Sequence, residues 1–204
     1  MMKKIILLVL LALVITNGYS QKKGAFRVGL DVGYVPAGGG GGGLLTIEPK
    51  YNITENMNVG LRFGGAAVIR DLESNVGDSY TAKVAGISSF VGTYDYYFHK
   101  SGSGSSFAPY VGAGLGYYSL ANVEVDDSEV DSGVLNPSVS SVFGGLIRGG
   151  FEWTGFRFGL EYNFLPSSDL EDFDGNKVGT ANNAYFGVSI GFFVGGGKWG
   201  AKAP

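Results

Sequence analysis

The sequence predicts an all-β fold, an eight-stranded antiparallel up-and-down transmembrane β-barrel, and three observations carry that prediction. The first is strict alternation in residues 156–165, FRFGLEYNFL. Phe156, Phe158, Leu160, Tyr162 and Phe164 fall on one face, and Arg157, Gly159, Glu161, Asn163 and Leu165 on the other. Successive side chains of a strand point to opposite faces, whereas a helix scatters such aromatics round its axis. The second is composition: 36 glycines and 14% aromatic residues with only 16% charged, a balance typical of closed β structures. The third is recurrence. Seven further segments alternate in the same way, and ten residues tilted in a sheet match the hydrocarbon thickness of a bilayer.

Residues 1–20 read as a secretory signal peptide and 21–204 as one barrel domain. Lys3 and Lys4 form a positive start, 5–15 an apolar run, and Gly18, Tyr19 and Ser20 a small-residue cleavage region. A spanning helix needs roughly 20 apolar residues, which this run lacks. Loss of Lys3 and Lys4 takes the net charge from −3 to −5. No later stretch is long enough for a spanning helix, so any insertion is by strands. The chain has no cysteine, which excludes disulfides, thiolate metal sites, a cysteine nucleophile and a lipid-modified cysteine.

The first strand, 24–35, sets Phe26, Val28, Leu30, Val32 and Tyr34 against Arg27, Gly29, Asp31 and Gly33. Pro36 and the glycine run 38–43 then read as a flexible loop, without the Lys-Ser/Thr that a phosphate loop requires. The second strand, 44–53, sets Leu45, Ile47 and Tyr51 against Thr46, Glu48, Lys50 and Asn52, with Pro49 marking an irregularity. A polar turn, 54–56, leads to the third strand, 57–69, with Met57, Val59, Leu61 and Phe63 opposite Asn58, Gly60, Arg62 and Gly64. A polar loop follows over 70–79. The fourth strand, 80–98, has Phe90, Tyr94, Tyr96 and Phe98 opposite Ser89, Thr93 and Asp95, and ends in a Gly/Ser turn over 99–106.

The fifth strand, 107–120, sets Val111, Ala113, Leu115 and Tyr117 against Gly112, Gly114, Gly116 and Tyr118. Its glycine spacing superficially matches a dinucleotide fingerprint, but strand alternation continues where that motif needs a helix. An acidic loop over 121–138 precedes the sixth strand, 139–153, where Phe143, Ile147, Phe151 and Trp153 oppose Gly144, Arg148, Gly150 and Glu152. Thr154-Gly155 is the tightest turn before the seventh strand, 156–165. A second acidic loop, 166–183, leads to the eighth strand, 184–194, with Phe186, Val188, Ile190, Phe192 and Val194 on one face. Connections after strands two, four and six are short, and those after one, three, five and seven mostly longer. That asymmetry is the outer-membrane pattern.

The oily face is expected to point outward. A water-facing barrel exterior carries abundant Lys, Glu and Thr, whereas here the second face is dominated by Gly and Ser, which suit a crowded interior. Tyr34, Tyr51, Tyr94, Tyr96, Tyr117, Trp153 and Tyr162 lie near strand ends, as interfacial rings do. By parity the interior then holds Arg27, Lys50, Arg62, Arg148 and Arg157 with Asp31, Glu48, Asp95, Glu152 and Glu161. Five cations and five anions can neutralise one another, and an unpaired charge there is costly. Two readings follow: a network that rigidifies a plugged barrel, or a polar path for an ion or small solute.

In its eight alternating segments, its signal-like start, and the strands YVGAGLGYY (110–118) and FRFGLEYNFL, the mature chain resembles the small eight-stranded outer-membrane β-barrel family, the OmpX and OmpA-barrel type. The resemblance implies outer-membrane lipid as surroundings, a monomer, and a structural or surface-interaction role through long external loops. A narrow channel and a soluble periplasmic binding barrel are the alternatives. No peptidoglycan-binding domain follows the barrel, so an anchoring role is not carried over. Many such barrels end on an aromatic residue, yet this chain runs past Phe193 into GGGKWGAKAP. Either Phe192 or Phe193 serves that role from within, or Trp199 extends the last strand.

No enzyme, cofactor or nucleic-acid partner is expected. His99 is the sole histidine, in a predicted turn, and the serine-rich turn beside it lacks a nucleophile signature. The acidic loops offer cation contacts through Asp126, Asp127, Asp169, Asp172 and Asp174. An EF-hand is excluded, since placing Gly175 at its glycine puts Leu170 and Ala181 at ligand positions. A looser divalent site or a plain solvated loop is left, and no metal centre is assigned.

Overall fold

The computed structural model describes residues 23–37, 40–72, 81–99, 104–125, 138–171, 177–181, 183–197 and 199. Among the described residues there are ten strands: β1 (Phe26–Ala37), β2 (Gly40–Asn52), β3 (Met57–Leu72), β4 (Thr81–Tyr97), β5 (Phe107–Val125), β6 (Ser138–Trp153), β7 (Phe156–Phe164), β8 (Ser168–Glu171), β9 (Lys177–Ala181) and β10 (Tyr185–Gly195). Eight of them form a closed barrel of sequential antiparallel neighbours, sealed where β10 meets β1. Strands β8 and β9 pair only with each other, as a hairpin between β7 and β10. The predicted signal peptide lies outside the described residues.

Period-two patterning translates directly into this barrel because none of its registers slips. Each pairing keeps one offset throughout, from Phe107↔Trp153 to Asn122↔Ser138 between β5 and β6, for example. The one register shift, between Leu170 and Glu171, belongs to the β8–β9 hairpin. With parity preserved, large apolar side chains of every barrel strand emerge on the outside. Phe26, Leu115, Tyr117 and Phe192 are the most exposed, Phe192 at 67%. The predicted interfacial Tyr34, Tyr51, Tyr94, Tyr117, Trp153 and Tyr162 also face out.

One end has short turns. Thr154 and Gly155 both have positive φ, 49° and 95°, as a two-residue hairpin whose twist matches its strands requires. The β2–β3 turn closes with Ile53 N–H donating to the Met57 carbonyl at 2.9 Å. Pro49, an expected irregularity, lies inside β2. Pairing to β1 runs through Glu48 and Pro49, whereas pairing to β3 omits both. The proline, which has no N–H to donate, thus sits where one ladder is interrupted.

Three expectations at the opposite end need correction. The glycine run is no loop from residue 40 onward: Gly40 to Gly43 are strand, paired with Ala37 to Tyr34. Glycine is needed there by close approach, since a Cβ at Gly41 or Gly42 would run into the Tyr34 ring or the Ala67 backbone. Only residues 38 and 39 then separate β1 from β2, which leaves three longer connections rather than four. Strands β3 and β5 run to Leu72 and Val125, so 70–72 and 121–125 are ladder rather than loop. The second acidic loop contains the β8–β9 hairpin, whose short strands carry no clear alternation.

Candidate functional site

The lumen holds the candidate site. All ten charged residues placed inward by parity are buried there: Arg27, Lys50, Arg62, Arg148 and Arg157, with Asp31, Glu48, Asp95, Glu152 and Glu161. They divide into two assemblies. The larger joins four cations to four anions. Near the short-turn end, Glu152 pairs with Arg27 and accepts from Arg157 Nη2 at 2.9 Å and from the Tyr97 hydroxyl at 2.8 Å. Arg157 continues the chain to Glu48 at 3.3 Å and Asp31 at 3.5 Å. Arg148 then clamps two carboxylates at once. It donates to Glu48 at 2.7 and 3.0 Å and to Asp95 at 2.8 and 2.9 Å. Lys50 pairs with Asp95 and stands 3.2 Å from Glu48.

The smaller assembly lies towards the long-loop end. Arg62 Nη2 donates to both oxygens of Glu161, at 2.7 and 2.9 Å. Asn163 donates to Glu161 at 2.9 Å and accepts from the Tyr118 hydroxyl at 2.9 Å. A cavity of about 10 Å³ separates the two assemblies, lined by Asp31, Thr46, Arg62, Tyr110, Arg148, Arg157, Gly159, Leu160, Glu161 and Ser189. That is room for about one water molecule. Desolvated ions need this density of partners, because a buried charge without them costs several kcal/mol.

Among the described residues, an apolar cluster lies on each side of the charged assemblies. Val35, Leu44, Val68, Val91, Tyr118 and Leu146 belong to a buried cluster at the long-loop end. Tyr97, Ala108, Tyr110, Phe193 and Trp199 form a second at the short-turn end. Sequence reasoning missed this second cluster as a unit, along with the neutral partners Thr46, Thr93, Tyr97 and Asn163. Their inward parity was the available signal. Trp199 also departs from expectation. It does not extend the last strand, which ends at Gly195, but is buried against the lumen with its indole N–H on Glu152 Oε2 at 2.8 Å. Of the two candidate terminal aromatics, Phe192 points out and Phe193 in, where the Arg27 guanidinium lies 3.9 Å from its ring centre.

His99 occupies the β4–β5 turn, with Nδ1 3.3 Å from the Phe107 carbonyl oxygen and its ring 4.7 Å from that of Trp199. No nucleophile is placed beside it by these contacts. Of the acidic-loop residues, Asp126, Asp127, Asp172 and Asp174 lie outside the described residues, and Asp169 lies in β8. Among the described residues, no group of carboxylates and histidines is arranged to hold a metal ion.

No family model matches this sequence, and no curated protein matches it. Solved structures do resemble it. Neisserial surface protein A is 16% identical over 84% of this chain and 99% of its own, with a TM-score of 0.53. The N-terminal β-barrel domain of Pseudomonas aeruginosa OprF is 15% identical, covering 84% and 98%, with a TM-score of 0.42. Ail, the attachment invasion locus protein of Yersinia pestis, solved with the heparin analogue sucrose octasulfate, is 11% identical, covering 85% and 98%, with a TM-score of 0.44. Closed eight-stranded topology, an apolar exterior and a charged interior accompany the likeness to the first of these. The chain has the fold of the small eight-stranded outer-membrane β-barrels, the OmpX and OmpA-barrel type that its sequence resembles.

Proposed function

We propose that the protein resides in the outer membrane and acts, without catalysis, as a structural or surface-contact barrel, with the long-loop end outside the cell. One observation carries this reading: the lumen is filled, whereas four adjacent strands are far longer than a membrane crossing needs. Strands β3, β4, β5 and β6 have 16, 17, 19 and 16 residues. Strands β7 and β10 have 9 and 11. About 9–11 residues suffice to cross. The surplus belongs to the long-loop end, where β3 and β4 pair as far as Leu72↔Thr81 and β4 and β5 as far as Ala82↔Val125. Contact with an extracellular partner is assigned to this wall and its connections.

The surroundings follow from surface chemistry. A belt of exposed Phe, Tyr, Leu and Ile suits lipid and makes a poor water-facing exterior, which speaks against a soluble binding barrel. A conducting lumen is the second reading, favoured by its ten charged residues, but the packing and the two buried apolar clusters weigh against it. An epitope tag inserted between Leu72 and Thr81 tests the orientation. Antibody binding on intact cells is expected. Detection only after permeabilisation overturns the orientation, and recovery of the tagged chain in the soluble periplasmic fraction overturns the membrane reading.

A further inference from the structure

Beyond the last barrel strand the chain reverses into the lumen. Gly195, Gly196 and Gly197 have φ of 84°, 71° and 89°, a left-handed stretch that residues with a Cβ enter only under strain. The bend is anchored where Asn52 Nδ2 donates to the Gly196 carbonyl at 3.1 Å. Gly196 also lies so close to Arg27 that an added Cβ would come within 2.9 Å of the arginine Cβ. Three residues beyond Gly196, Trp199 is 4% exposed. Its ring centre lies 4.9 Å from that of Tyr97 and 4.7 Å from that of His99, and its indole N–H donates to Glu152.

The bond to Glu152 joins the tail to the charged core. Oε1 of that carboxylate takes Arg27, Arg157 and Tyr97. Oε2 takes Trp199. A tryptophan buried for packing alone would not need its N–H aimed at the one carboxylate nearest the mouth. Buried indole N–H groups usually find a partner, and this partner is charged.

We propose that Trp199 is a tethered stopper for the short-turn mouth of the barrel, with Gly195, Gly196 and Gly197 as its hinge and Glu152 as its latch. Seated, it shields the Arg27–Glu152–Arg157 cluster from the compartment below. Unseated, it opens that cluster to water while leaving the barrel ladder intact, because no barrel strand pairing involves residues beyond Gly195. The device is independent of any partner at the long-loop end.

Two measurements test the stopper. The chain has two tryptophans, and Trp153 faces outward, so Trp153→Phe leaves Trp199 as the only indole. In refolded barrels its emission is expected to be blue-shifted and weakly quenched both by aqueous acrylamide and by brominated acyl chains. Strong quenching by acrylamide means an unseated tail, and strong quenching by the lipid means a tail in the bilayer. Either overturns the proposal.

The second measurement places a thiol at Ala108, which is fully buried in the same cluster. The chain has no cysteine of its own, so Ala108→Cys is the only thiol. In trypsin-resistant barrels a water-soluble maleimide is expected to react slowly with it. Adding Trp199→Ala is expected to raise the rate at least about tenfold, the equivalent of one charge-assisted hydrogen bond of about 1.4 kcal/mol. Trp199→Phe, which keeps a ring but no donor, should fall between. Equal rates with and without Trp199 overturn the proposal.

Discussion

Replacing Arg148 with methionine removes the side chain that ties together most of the lumen. Its guanidinium makes four hydrogen bonds of 2.7–3.0 Å to Glu48 and Asp95, and its loss turns a balanced cluster of four cations and four anions into one with an excess negative charge. Removing one partner of a buried ion pair costs about 3–5 kcal/mol. The lower end applies here. Glu48 keeps Thr93 at 2.5 Å, Arg157 at 3.3 Å and Lys50 at 3.2 Å, and Asp95 keeps Lys50. The expected loss is therefore about 3 kcal/mol, and at an m-value of about 2 kcal/mol/M the urea midpoint falls by about 1.5 M. The assay is equilibrium urea unfolding of the barrel in lipid vesicles, followed by tryptophan emission. Combining R148M with Asp95→Asn restores charge balance and should recover at least about 1.5 kcal/mol, a coupling expected of groups in direct contact. A loss below about 1 kcal/mol for R148M, or no recovery in the double variant, would refute the idea that electrostatic balance holds the lumen together.

Three further outcomes follow from the geometry. Leu30 faces outward midway between Phe26 and Tyr34, so Leu30→Arg should destabilise the vesicle-inserted barrel by about 2–4 kcal/mol; a neutral result would contradict lipid contact at that depth. Gly159→Val meets Ser189 Oγ and Tyr110 Oη, which lie 2.9 and 3.1 Å from the position of a Cβ, and should cost about 1–3 kcal/mol of overpacking. Gly65→Ala, with open space around it, should stay within about 0.5 kcal/mol, and equal effects in the two urea titrations would mean the lumen is looser than described. Replacing 168–181 with a short Gly/Ser linker should leave the barrel trypsin-resistant, because β8 and β9 pair with no barrel strand; loss of refolding would show that the hairpin supports the barrel.

The lumen was legible in the sequence to an unusual depth, and the reason is geometric. Alternation assigns a side chain to one face only while register holds, and a single bulge would have inverted every residue beyond it. No barrel pairing slips, so Arg27 at the start of β1 and Glu161 inside β7 obey the same rule. Pairings across the lumen were not legible. Arg148 reaches Glu48 from residues 100 positions apart, a distance that closure of the barrel sets and local pattern does not. The strand character of Gly40 to Gly43 was hidden because glycine reads as loop from propensity, whereas here it permits tight approach to Tyr34 and Ala67. Extension of β5 through Asn122, Val123, Glu124 and Val125 was hidden by the acidic residues that follow. The inward turn of Trp199 did carry a signal, three glycines and then an isolated tryptophan, but a turn direction is not encoded by periodicity.

Single-channel recording of refolded residues 21–204 in a planar bilayer tests most directly whether this is a closed barrel whose interior serves stability. Insertion without conductance steps is the predicted result, since a buried apolar cluster lies on each side of the charged assemblies and the cavity between them holds about 10 Å³. Stable, reproducible steps that change on Arg62→Ala or Glu161→Ala would contradict it and make the lumen the functional path.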